Sequence, residues 1–121
     1  MALDDEPQWR ELLERAHAAG VDAFRRAATE PYADLCGGAK VLITPEDDDL
    51  ARWLTRTGGF HPDPDHKGAV SRRAEVKPEE APGIRPPIVA QSYLAAHAYA
   101  GVYVAVLVTA GVSAHPRSWL N

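Results

Sequence analysis

The chain has 121 residues, 45% of them hydrophobic and 25% charged, which is enough to bury one core and too few for two. A formal charge of -4 at pH 7 gives no global attraction to nucleic acid or anionic lipid. Cys36 stands alone, which excludes an internal disulfide and suits a reducing compartment. The acidic, amphipathic start lacks the basic and apolar regions of a secretory signal, so no export and a cytoplasmic setting are expected.

In chain order, Trp9, Leu12, Leu13, Ala16, Ala19, Ala23, Phe24 and Ala27 recur at helical spacing and predict an amphipathic helix. Gly20 is expected to bend or split it, and Glu30-Pro31 to close it. Ala39 to Ile43 reads as a buried strand after Cys36-Gly37-Gly38. Thr44 is then a candidate N-cap, with Pro45 in the first turn and Glu46, Asp47, Asp48 and Asp49 facing the positive end of a helix dipole. Leu50, Trp53 and Leu54 form that helix's contact face, and Gly58-Gly59 its stop.

From Phe60 to Pro87 prolines and charges predict mostly loop, with a possible edge strand over Gly68 to Val76 and an extended arm over Pro78 to Pro87. Gln91 to Ala110 is apolar on every side and reads as one buried helix ended by Gly111, the rival being a helix to Gly101 followed by a strand. Its Ala and Gly content and His97 make it too weakly hydrophobic for a membrane span. A last strand is placed near Val112 to His115, followed by a tail from Pro116 to Asn121. The expected fold is α/β (α+β): three helices on a small two- to three-stranded sheet, in the order α-β-α-(β)-α-β, forming a single domain over residues 1-121 with a proline-rich loop or arm at about 60-90.

The blocks Ala16-His17-Ala18-Ala19-Gly20, Cys36-Gly37-Gly38-Ala39-Lys40-Val41, Leu50-Ala51-Arg52-Trp53-Leu54, Gln91-Ser92, Ala96-His97-Ala98-Tyr99-Ala100 and Ser118-Trp119-Leu120-Asn121 carry a resemblance across nearly the whole chain. It resembles an uncharacterised family of small proteins encoded in bacteriophage, prophage and plasmid regions. The departures are Ser71-Arg72-Arg73-Ala74, where the family has an aromatic strand, and the long proline-rich insertion before Gln91. The resemblance implies a mobile-element setting, a compact α/β fold and a virion or host-interaction role, with no catalytic residues to carry over.

Candidate chemistry is sparse. His61, Asp63, Asp65 and His66 are ligand types for a divalent metal, but the interleaved prolines hold an extended chain whose side chains diverge. Cys36 has no histidine placed beside it by the sequence, and His97 on its apolar helix reads as a core or interface residue bonded to a carbonyl. Lys67, Arg72, Arg73 and Lys77 form a modest basic edge for nucleic acid, offset by Glu75, Glu79 and Glu80.

No catalytic set and no cofactor are expected. The leading function is a non-enzymatic phage or mobile-element protein acting through protein contacts or self-association. A domain this small can hardly enclose an apolar helix, so Tyr99, Tyr103, Val106 and Leu107 are the candidate interface. The alternatives are a metal-dependent hydrolase using the His61 to His66 loop and a nucleic-acid-associated accessory protein.

Overall fold

The computed structural model describes residues 6–57 and 59–121. Helix α1 (Glu6–Ala27) buries Trp9, Leu12, Ala16, Gly20, Ala23 and Phe24 along one stripe, as the spacing predicts. Strand β1 (Gly37–Ile43) follows, then α2 (Asp49–Thr57), β2 (His61–Pro62) and β3 (Val70–Arg73). A 3-10 turn (Pro78–Glu80), α3 (Pro86–Gln91), α4 (Tyr93–Thr109) and β4 (Ala114–Leu120) complete the chain. The fold is thus mixed α/β, with four helices and a four-stranded antiparallel sheet in the order β2-β3-β1-β4.

Side chains alternate across a strand, and this sorts the two faces of the sheet. Ala39, Val41 and Ile43 of β1 share one hydrophobic cluster with Val70, Ala114 and residues of every helix, including Trp9, Trp53, Ile88, Tyr99 and Leu107. The helices therefore pack on one face. The register puts Gly38, Lys40, Leu42, Ser71, Arg73, His115, Arg117 and Trp119 on the other.

Several boundaries differ from expectation for identifiable reasons. Helix α2 begins at Asp49, because the Asp48 carbonyl accepts the first helical bond from the Arg52 N–H at 2.9 Å, so Thr44 is no cap. Its exit at Gly59 has φ 75°, while Gly58 lies outside the described residues. Strand β3 lies between β2 and β1, but two-residue β2 covers only Val70 and Ser71, so just the Arg72-Arg73 end keeps the expected free edge. The proline-rich stretch is docked rather than mobile, since Val76, Ala81 and Ile88 are buried in the main cluster.

Strand β4 runs past Pro116 because the odd-numbered residues of β4 bond to β1, as in the Asn121 N–H to Cys36 carbonyl bond. Pro116 thus faces the free edge, where its missing N–H breaks no ladder bond. Ser92 separates α3 from α4 and caps α4, its hydroxyl accepting from the Ala95 N–H at 3.2 Å. Helix α4 is one helix, stopped before Gly111 at φ 90°.

Gly20 neither bends nor splits α1. A Cβ there would stand 2.8 Å from Cδ2 and Cε2 of Tyr99, so glycine is what lets α4 close on α1. The Tyr99 ring is 1% exposed and its hydroxyl is held by His17, leaving it nowhere to swing. Gly20→Ala, which would stabilise a free helix by about 1 kcal/mol, is therefore expected to cost about 1–3 kcal/mol by overpacking in denaturant melts. A stabilised variant would refute this close approach.

Candidate functional site

The turn after β2 curls over the sheet face away from the helices and lands on Lys40. Asp63, with no side-chain exposure, is its hub. One carboxylate oxygen accepts from Ser71 Oγ at 2.6 Å and Lys40 Nζ at 2.7 Å; the other accepts from the Asp65 N–H at 3.0 Å and pairs with His66 Nδ1 at 2.9 Å. Burial alone would raise the Asp63 pKa, but the Lys40, Ser71 and His66 bonds hold it well below the usual carboxylate range. Lys40 also reaches Asp65 at 3.1 Å; burial alone would lower its pKa, and the two carboxylates raise it.

Three of the four metal-ligand candidates are thus brought together, around an ammonium. Lys40 already supplies the cation for Asp63 and Asp65, and His66 spends Nδ1 on Asp63, while His61 stays exposed on β2 opposite Ser71. Among the described residues no group of three or more His, Cys, Asp and Glu could hold a metal ion.

Beyond this turn the same face is less covered. Arg73, Lys40 and Arg117 lie side by side on β3, β1 and β4. Lys40 is neutralised within the chain; Arg73 and Arg117 have no carboxylate partner among the described residues. The indole of Trp119 lies against Gly38, where a Cβ would come within 2.6 Å of its Cζ2, and the Arg73 guanidinium sits 5.4 Å from its ring centroid. Lys40, Asp65, His66, Arg117, Ser118 and Trp119 line a cleft of about 390 Å³.

No family model, curated protein or solved structure matches this chain. Its site must be judged on geometry.

The expected interface is corrected. Tyr99 is 1% exposed and Tyr103 and Leu107 are 0% exposed within their own chain, and Val106 packs against the same core. Helix α4 turns Tyr99, Tyr103 and Leu107 inward, leaving His97, Ala105, Val108 and Thr109 exposed and Tyr93, Leu94, Val102 and Val106 half-buried. No helix among the described residues is long and apolar enough to cross a membrane.

The basic edge does not form one surface. Arg72 and Arg73 alternate across β3, so Arg72, opposite Val41, lies on the helix-packed face while Arg73 reaches the opposite one; Lys67 and Lys77 are exposed outside the strand. His97 is exposed, stacked on Tyr93 at 5.6 Å and bonded to Ser118 Oγ at 2.7 Å, rather than to a carbonyl. Cys36 is exposed, its Sγ 3.9 Å from the Asp34 carbonyl.

A second polar chain escaped the sequence reading: Glu80 Oε2 to His17 Nε2 at 2.7 Å, and His17 Nδ1 to the Tyr99 hydroxyl at 2.6 Å. Burial alone would raise the Glu80 pKa, but the Lys77 N–H and His17 lower it. Burial raises that of Tyr99. Both imidazole nitrogens are occupied and the hydroxyl is enclosed, so this chain ties α1, the 3-10 turn and α4 together. Another cleft, about 590 Å³ between Trp9, Leu12, Pro45, Leu50 and Val112, holds no hydrogen-bonded titratable pair among the described residues.

Proposed function

We propose that the chain is a non-enzymatic binding module acting through protein contacts, and that its contact surface is the uncovered part of the sheet face around Trp119. One observation carries this reading: a tryptophan against Gly38 with the Arg73 guanidinium at its ring and Arg117 two residues along its strand, neither arginine paired with a carboxylate among the described residues. Tryptophan and arginine are the side chains most enriched at interface hot spots, because they bring large contact area with a polar or charged end. The buried polar groups favour binding over catalysis, since Asp63, His17 and Tyr99 spend their hydrogen bonds on one another and on structural neighbours. The resemblance to phage-, prophage- and plasmid-encoded proteins sets the role in a mobile element, in the host cytoplasm or a virion.

The test compares wild-type chain with Trp119→Ala in capture from a host extract and in light scattering. We expect the variant to keep its melting temperature within a few degrees and to lose retained partners about tenfold or more, as a hot spot of about 2 kcal/mol requires. Unchanged retention and unchanged oligomeric state would remove this face from the account.

A further inference from the structure

The row Arg73, Lys40, Arg117 crosses three adjacent strands, and like charges placed directly opposite one another oppose sheet formation. The chain relieves the middle position by folding Asp63 and Asp65 onto Lys40 at 2.7 and 3.1 Å. Neither flank has a carboxylate partner among the described residues. Arg117 is exposed and lines the 390 Å³ cleft together with His66 and with Trp119, two residues along the same face. The Arg73 guanidinium lies 5.4 Å from the indole centroid.

From this charge pattern we infer that the face receives an acidic, extended peptide segment of a partner protein, with carboxylates on Arg73 and Arg117 and an apolar contact on Trp119. The inference rests on the protein-contact reading above and names the partner's chemistry. Two strand spacings put the arginine Cα atoms about 10 Å apart, and carboxylates two residues apart, on one side of an extended segment, lie about 7 Å apart, a difference the long arginine side chains can close. Guanidinium forks pair with carboxylates through two parallel bonds, and the flat indole excludes water between the two pairs. A nucleic-acid strand is disfavoured because only Arg73 and Arg117 on this face lack a carboxylate partner among the described residues, and one or two phosphate contacts hold a strand weakly.

The experiment is a titration of the full chain with a short glutamate-rich peptide, followed by tryptophan fluorescence and calorimetry at low and moderate salt. Binding is expected to weaken about tenfold or more in Arg117→Glu and in Arg73→Glu and to fall with added salt, while Arg56→Glu, at the end of α2 away from this face, leaves it unchanged. Circular dichroism and melting of each variant check that the fold persists. Absence of peptide binding, or binding that ignores both reversals, overturns the inference. So does tighter binding of a single-stranded oligothymidylate lost in the same variants, or a dimer that Trp119→Ala dissociates. If Trp119→Ala abolishes partner capture while the peptide never binds, the acidic-segment inference fails and the contact face stands. If capture is also unchanged, the face fails with it.

Discussion

Trp53→Ala is expected to destabilise the protein by about 3–5 kcal/mol, a large share of the about 5–15 kcal/mol that holds an ordinary domain folded. Trp53 is 2% exposed in α2, its ring 5.6 Å from that of Trp9, and the Arg10 guanidinium lies 5.4 Å from its centroid. Removing the indole empties the seam between α1 and α2. The indole Nε1 has no hydrogen-bond partner among the described residues, so the native residue already carries the cost of a desolvated donor. Trp53→Phe removes that donor while keeping most of the ring, and its loss should stay below about 1.5 kcal/mol. Denaturant melts decide both; a loss under about 1 kcal/mol in Trp53→Ala would place the residue outside the main core.

The seam was legible because its signal is periodic. Trp9, Leu12, Ala16, Ala23 and Phe24 repeat at helical spacing, as do Leu50, Trp53 and Leu54, and all are buried. Helix α4 was legible as an element but not in its orientation. A helix apolar on all sides gives no moment to say which residues face inward, and the deciding fact, Gly20 against the Tyr99 ring, joins positions far apart in the chain.

The candidate site was the least legible part. Pro116 ended the predicted strand at His115, so Arg117 and Trp119 fell into a tail, although proline is tolerated where its nitrogen faces a free edge. Asp63 and His66 were noticed for their chemistry and bond each other, but the other partners of Asp63, Lys40 and Ser71, come from strands that only the antiparallel register brings beside it. His17 sits beside the buried stripe of α1, where a polar residue next to Ala16 and Gly20 was the one available hint of a long-range bond.

Asp63→Asn is expected to cost about 3 kcal/mol near neutral pH. An amide offers one acceptor oxygen where the carboxylate's two oxygens serve four partners, and its NH₂ would turn a donor toward groups that themselves donate. Lys40 would keep only Asp65 as counter-ion. The pH profile separates lost charge from lost shape. The folded pKa of Asp63 is depressed below the unfolded value of about 3.9, so its stabilisation is fully present above that value and disappears as pH falls through the folded pKa. Glu80, also depressed, adds to the same acid limb. Lys40 is raised above 10.5, so its contribution is present below that pH and is lost as pH rises through the folded pKa. Wild-type stability should therefore hold between about pH 5 and 10 and fall on both sides. Asp63→Asn should lower that plateau, leave only the shallower Glu80 limb in acid and flatten the alkaline limb, because Lys40 has lost its main partner. Melts across the pH range test this. A variant profile that runs parallel to wild type at every pH would mean that the cost lies in packing and that the Asp63 charge does not stabilise the fold.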